Sequence, residues 1–260
     1  MQQKKSLGQN FLRSGSALRT IVDAGKVSID DIVLEIGPGR GALTQKLLET
    51  GATVVAVEKD RELIPLLQEK FADYIGRKKL FLLHDDILNI SAEQVFSNFK
   101  LKAINYKLIA NIPYYITGEI IRKFLEEKNQ PKTMVLLVQK EVAERIVARD
   151  TKESILSIAV KVYATPRYIT KVKKEAFTPV PNVDSAIVAF ENISKDFFIQ
   201  NNITEKDFFT VVKTGFAHKR KKLGGNLKTL IPILNKEYFD TFKDKRAEEL
   251  SVTDWQNIIL

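Results

Sequence analysis

Two groups of residues in this 260-residue chain have the types and spacing to do chemistry, a tetrapeptide and a glycine cluster. The tetrapeptide, Asn111-Ile112-Pro113-Tyr114, directly follows the apolar run YKLIAN (106–111). The Asn111 amide oxygen and the Ile112 main-chain carbonyl are hydrogen-bond acceptors and not bases. Such acceptors suit an exocyclic ring amine such as adenine N6, a poor nucleophile because its lone pair is delocalised into the ring. Taking both of its hydrogens favours a pyramidal, more nucleophilic nitrogen in the transition state, which is electrostatic preorganisation. Pro113 would stiffen the turn and Tyr114 would stack on the base. Phe177, in F-T-P-V-P, is the candidate for the opposite face, with Pro179 and Pro181 holding an extended loop. Two aromatic walls offer roughly 1–3 kcal/mol of stacking per base, which helps offset extrusion of the base. The same residues also read as a tight turn with an anchoring aromatic, and as a phenylalanine buried under a loop.

The glycine cluster is Glu35-Ile36-Gly37-Pro38-Gly39-Arg40-Gly41, between an apolar run and a helical pattern. Glycine lets the chain turn tightly and lets a ligand approach the backbone. With Ala42 the cluster also satisfies G-x-G-x-x-[GA], so a dinucleotide oxidoreductase stays open. Glu58 closes the next apolar run, where a carboxylate accepts from ribose hydroxyls of either ligand. Two details favour a methyl donor. Glu35 gives E-x-G-x-G-x-G, which resembles the first motif of methyltransferases. Asp86 can accept from an adenine amino group while Ile87 packs against the ring, although Asp85 and Asp86 also read as a polar turn.

Positioning these residues requires a sheet. IVLEIG (32–37), TVVAVEKD (53–60), KLFLL (79–83), YKLIAN and TMVLLVQ (133–139) read as strands. Helical patterns separate them at 42–50, much of 61–74, and ITGEIIRKFLEE, with Pro65 obscuring where the second begins. Near-continuous apolar strands suit a parallel sheet covered on both faces. After helical stretches at 140–149 and 153–162, ATPRYITKV (164–172) and SAIVAF (185–190) predict a hairpin-like pair finishing the sheet edge. Beyond about Glu191 the pattern is helical, with Phe208, Val212 and Phe216 at helical spacing. The expected division is 1–190 as an α/β, Rossmann-like domain and 191–260 as a small helical domain that binds RNA.

The chain has no cysteine and two histidines, His84 and His218, which excludes disulfides, thiolate nucleophiles and the usual Cys/His zinc sites. Neither a G-x-S-x-G elbow nor a Walker-type phosphate loop is present. No stretch nears the roughly 20 apolar residues of a membrane span, and the basic start lacks an apolar core for secretion, so a cytoplasmic protein is expected. The net charge of +9 is concentrated in acid-free segments. Lys4, Lys5, Arg13 and Arg19 form one, and Lys161, Arg167, Lys171, Lys173 and Lys174 another. The third holds Lys213, Lys219, Arg220, Lys221, Lys222 and Lys228. Such segments fit a polyanionic partner or an ordinary solvated surface equally well.

The ordered motifs carry a resemblance. SLGQNFL (6–12), LEIGPGRGALT (34–44), Glu58, DDIL (85–88), NIPYYI (111–116), FTPVPNVDSAIV (177–188) and FAHKRKKLGGNL (216–227) occur in sequence. NIPY is similar to the [NDS]-[PIL]-P-[YFW] signature of amino-methyltransferases acting on nucleic acid, and the whole set resembles KsgA-type rRNA adenine N6,N6-dimethyltransferases. That resemblance implies S-adenosylmethionine as donor, held by Asn10, Leu12, Gly37, Glu58, Asp86, Ile87 and Asn111, with no metal. Asn111, Tyr114 and Phe177 would hold the adenine, and Lys219, Arg220, Lys221 and Lys222 would meet RNA. It further implies a monomer that dimethylates two adjacent adenosines near the 3′ end of small-subunit (16S) rRNA during ribosome biogenesis. Erm-type enzymes share the catalytic motifs and act on large-subunit rRNA; FAHKRKKLGGNL and KRAEELSV (245–252) resemble the KsgA pattern instead. A ribosome-assembly factor with secondary methylation is the remaining alternative. His84 and the order Lys219-Arg220-Lys221 depart from the usual pattern, neither at the proposed chemistry.

Overall fold

Short runs of branched apolar residues become strands where the sequence places them, and their carboxyl ends carry the motifs. The structure, a computed structural model, describes residues 10–102 and 104–259. These divide into two compact units, one from the chain up to Ala143 with Arg167–Ile193, the other from Glu144–Pro166 with Ser194 onward.

The strands are β1 (Phe11–Leu12), β2 (Ile32–Ile36), β3 (Thr53–Glu58), β4 (Leu80–His84), β5 (Lys107–Asn111), β6 (Thr133–Gln139), β7 (Thr165–Val172), β8 (Phe177–Thr178) and β9 (Ser185–Glu191). Seven form one sheet in the order β4-β3-β2-β5-β6-β9-β7, and β1 pairs with β8. β4, β3, β2, β5 and β6 are mutually parallel, with Leu34 opposite Val55 and Leu108 opposite Met134. β9 runs antiparallel to β6, Val188 opposite Leu136. Val33, Leu34, Val54, Val55, Leu108 and Ile109 have no exposed surface, because adjacent residues point to opposite, covered faces.

The first unit's helices are α1 (Gly15–Ala24), α2 (Ala42–Glu49), α3 (Leu63–Lys70), α4 (Ala72–Gly76), α5 (Ala92–Ser97), α6 (Thr117–Glu126) and the start of α7 (Lys140–Val147). α1 buries Leu18, Ile21 and Val22, and α6 buries Ile120, Ile121, Phe124 and Leu125, stripes at helical spacing. From β2 the chain steps outward through β3 and β4, then returns to place β5 on the other side of β2. The strand order therefore reverses between β2 and β5, the position where open α/β sheets bind ligands.

The structure differs from the sequence reading in four places. The helix expected over 61–74 is two, α3 and α4, broken at Phe71 (φ −114°, ψ 24°), whose buried ring fills the space beneath Gly41. α1, capped by Ser14, and α5, with a Ser91–Gln94 capping box, were not anticipated. The 164–172 and 185–190 strands are neighbours as expected, but β9 inserts beside β6 and leaves β7 at the edge. Finally, residues 144–166, expected within a 1–190 domain, group with the C-terminal residues.

That grouping has a packing cause. The second unit contains α8 (Ile155–Lys161), α9 (Asp196–Gln200), α10 (Glu205–Gly215), α11 (Leu223–Asn226), α12 (Lys236–Phe242) and α13 (Val252–Ile259). Tyr163, just after α8, packs against Phe198 and Phe209 at ring distances of 5.2 and 6.2 Å. The Ser194 N–H donates to the Tyr163 carbonyl and the Glu153 N–H to that of Glu248. Trp255 of α13 is fully buried, and a Cβ on Gly215 would lie 2.3 Å from its ring.

Candidate active site

An open cleft of about 1040 Å³, solvent included, lies at the carboxyl ends of β2, β3, β4 and β5. Its floor is the glycine turn between β2 and α2. Gly37 and Gly39 have φ of +64° and +60°, in the left-handed region that glycine alone enters freely. A Cβ on Gly37 would meet nothing within 4 Å, so the space beside that backbone is a cradle a side chain would fill. At Gly39 a Cβ would lie 2.9 Å from the Phe11 ring, over which the Arg40 guanidinium sits at 5.1 Å. Lys70 reaches from α3 to the Arg40 carbonyl at 2.9 Å.

Glu58, at the end of β3, locks this turn. Its two carboxylate oxygens accept from Gly39 N–H at 3.0 Å and Asp60 N–H at 2.8 Å. Burial raises its pKa, and these N–H groups offset part of the rise. A carboxylate has about four lone-pair sites, so acceptor capacity remains for a ribose hydroxyl. The Gly39 N–H, by contrast, is already taken, and a dinucleotide's pyrophosphate needs such groups at the helix N-terminus.

Asp86 follows β4, with one carboxylate oxygen on Leu88 N–H at 3.0 Å and the other 2.7 Å from the Lys59 ammonium. Desolvation works to raise the carboxyl's pKa, but Lys59 and the N–H group hold it below the ordinary value. Ile87, 4% exposed, adds an apolar wall, and Leu12 another. Glu35 lies on the β2 side with 1% exposure, and its Oε2 has no hydrogen-bond partner. Burial pushes its carboxyl up to about 8; Thr44 and Lys70 offset part of this and the neighbouring Glu58 adds to it. Four carboxyl groups, those of Glu35, Glu58, Asp85 and Asp86, therefore border the cleft. Their oxygens suit a hydroxyl-rich ligand such as a nucleoside, with the cations of Arg40 and Lys59 also on the lining.

Asn111 ends β5 at the mouth of this space. Its Nδ2 donates to the Asn10 carbonyl at 3.2 Å, which sets the amide plane and keeps Oδ1 as an acceptor. The Ile112 carbonyl accepts no main-chain hydrogen bond among the described residues. Tyr114 opens a 3-10 turn (Tyr114–Ile116), its hydroxyl 2.6 Å from Ser185 Oγ. Burial raises the pKa of its phenol, so it stays neutral. Phe177 is where the sequence reading and the structure part. It is 2% exposed within the apolar core, paired with Leu12 across β1–β8, and is not part of the cleft lining. The proline-rich loop begins after Phe177 and leaves the ring packed inward, the alternative the sequence had offered.

The cleft thus brings together Asn10, Leu12, Gly37, Glu58, Asp86, Ile87, Asn111 and Tyr114 from four strand ends and β1. A model of the ribosomal RNA adenine dimethylase family matches residues 1–260. The chain belongs to that family. Proteins called ribosomal RNA small subunit methyltransferase A are similar to it along their lengths. The one from Dehalococcoides mccartyi (strain CBDB1) is 39% identical over 268 residues, covering 100% of this chain and 88% of the relative. That from Fusobacterium nucleatum subsp. nucleatum is 36% identical, covering 99% and 97%. Among solved structures, a dimethyladenosine transferase from Plasmodium falciparum superposes with a TM-score of 0.79 at 26% identity, covering 95% of both chains. The 23S rRNA methyltransferase ErmE shares the fold, with a TM-score of 0.76 at 22% identity over 96% and 98%. An rRNA adenine dimethylase is thus an α/β methyltransferase here, as its sheet order and strand-end cleft require.

Of the candidate RNA contacts, Lys219, Arg220, Lys221 and Lys222 are exposed between α10 and α11 of the second unit. Lys222 pairs with Asp244 at 2.8 Å, and no carboxylate pairs with the other three among the described residues. Asn226 shapes this turn from inside, its Nδ2 donating to the Gly215 carbonyl at 2.6 Å and the His218 carbonyl at 3.2 Å. Lys4, Lys5 and the SLGQ part of the first motif lie outside the described residues. No cluster of three or more metal-ligating side chains occurs among the described residues. Among the described residues no helix is long and apolar enough to cross a membrane. The sequence reading missed Phe11, Arg40, Lys59, Lys70 and Tyr115 at or beside the cleft. Phe11, Arg40 and Tyr115 had a signal, standing inside SLGQNFL, LEIGPGRGALT and NIPYYI.

Proposed function

We propose that this rRNA adenine dimethylase takes methyl groups from S-adenosylmethionine and places two on N6 of each of two adjacent adenosines in small-subunit rRNA. The observation that carries the reading is the Asn111 amide, fixed by Asn10 at the edge of a carboxylate-lined nucleoside cleft. The names of the relatives from Dehalococcoides and Fusobacterium support the small subunit as target. The expected setting is the bacterial cytoplasm, with the protein acting as a monomer during ribosome biogenesis.

Asn10, Leu12, Gly37, Glu58, Asp86, Ile87 and Asn111 would hold the donor, and the open space at Gly37 fits a ligand against that backbone. Bound there, S-adenosylmethionine supplies an electrophilic methyl carbon on a positively charged sulfur. The chain contributes orientation and charge. Asn111 Oδ1 and the Ile112 carbonyl accept the two N6 hydrogens, Tyr114 stacks on the ring from a hydroxyl anchored at Ser185, and Ile87 keeps water from one wall. Neither acceptor takes a proton at neutral pH, so the proton lost from N6 passes to solvent. Phe177, packed beneath Leu12, supports the donor side in this conformation; a role as the second stacking wall requires that it turn outward.

Methyl transfer to under-methylated small ribosomal subunits, with protein-free large-subunit rRNA alongside, tests the reading. Incorporation into the small subunit is expected. Incorporation into the large-subunit RNA alone would assign the Erm-type target, and donor binding without transfer would leave an assembly factor.

A further inference from the structure

Tyr115 is the only exposed aromatic ring among the described residues of the first unit, 59% exposed, and it lines the mouth of the cleft. Its neighbour in the 3-10 turn, Tyr114, is tied inward to Ser185. Successive residues of such a turn lie roughly 120° apart, so a Tyr114 that faces the cleft turns Tyr115 toward solvent. The mount is stiff. Pro113 precedes the turn, the Ile116 N–H donates to the Pro113 carbonyl at 3.3 Å, and α6 begins at Thr117. An exposed ring already fixed on a rigid support can meet a ligand's base at little further ordering cost. The Lys59 ammonium also borders the cleft.

A strand that delivers one adenine into the cleft must leave the adjoining nucleotide at its mouth. That nucleotide has lost a stacking neighbour to extrusion. We propose that Tyr115 takes the place of the extruded base, stacking on the nucleotide adjacent to the target adenine. The proposal rests on the reading of the cleft as an adenine N6-methyltransferase site and adds a substrate-contacting residue to it. Because every base has a π-face, the contact aligns the strand without demanding a particular neighbour.

The test uses the full chain with Tyr115→Ala, Tyr115→Leu and Tyr115→Phe. Steady-state methyl transfer to under-methylated small subunits gives KM and kcat, and calorimetry with S-adenosylhomocysteine gives donor-site affinity. Loss of one stacked base predicts a KM for the particle raised roughly tenfold in Tyr115→Ala and Tyr115→Leu. Tyr115→Phe should remain near wild type, and all three should bind S-adenosylhomocysteine equally. An unchanged KM in Tyr115→Ala would overturn the proposal. So would a parallel fall in S-adenosylhomocysteine affinity, which would make the ring part of the donor pocket, or a Phe variant as weak as Ala. If the wild-type protein itself transfers nothing to small subunits, the functional reading fails and this inference with it.

Discussion

Replacing Glu35 by glutamine should remove a pH dependence of stability that wild type carries. Glu35 is 1% exposed and its carboxyl is pushed up to about 8 from an ordinary 4.5, so the folded protein holds a neutral acid there at pH 7. Between those two values the folded state binds a proton that the unfolded chain has released. Stability therefore falls as pH rises through this window and levels off above it. At about 1.4 kcal/mol per pH unit, the ceiling is roughly 5 kcal/mol, and relaxation with water entry lowers the observable effect to as little as about half of that. Glutamine keeps the shape and cannot ionise. Urea unfolding at about pH 5 and about pH 9 should show wild type losing roughly 2–5 kcal/mol relative to Glu35→Gln across the interval. Far-UV circular dichroism is the suitable signal, because the one tryptophan, Trp255, lies in the second unit. Equal pH dependence in the two proteins would refute the claim that Glu35 is neutral in the folded state.

Asn111→Ala removes an acceptor for the amine hydrogens and should lower kcat about 10²–10³-fold. Calorimetry should find S-adenosylhomocysteine affinity only partly impaired, since Asn10, Leu12, Gly37, Glu58, Asp86 and Ile87 still hold the donor. Gly37→Ala forces alanine to φ +64° and puts a methyl into the cradle. It should cost about 1–2 kcal/mol of stability in a denaturation curve and weaken donor binding as well. Exchanging Lys219, Arg220 and Lys221 together for glutamine should flatten the salt dependence of RNA affinity, lowering the log–log slope by about 2–3. An unchanged slope would remove that turn from the RNA interface.

The sheet was legible because β2, β3, β4, β5 and β6 are near-continuous apolar runs with a clear alternative to helix. The cleft was legible for a related reason: its residues follow strand ends, where chain direction alone brings Gly37, Glu58, Asp86 and Asn111 to one edge. Contacts that depend on tertiary packing left no such trace. Phe71 breaks a helical pattern because its ring is needed beneath Gly41, far away in sequence. Phe177 carried the composition of a stacking wall, and only its pairing with Leu12 directs it into the core. Residues 144–166 look like a continuation of the sheet domain until Tyr163 finds Phe198 and Phe209. The Ser91–Gln94 capping box, on the other hand, stands in the sequence as a local signal for α5 that went unread.

The central claim is that this cleft methylates adenine N6 in small-subunit rRNA. Nucleoside analysis of under-methylated small subunits, after incubation with wild-type protein and labelled S-adenosylmethionine, tests it most directly. Label is expected in N6,N6-dimethyladenosine with the wild-type protein, and almost none with Asn111→Ala. Label confined to nucleosides other than N6-methylated adenosines, or equal labelling by the Asn111 variant, would contradict it.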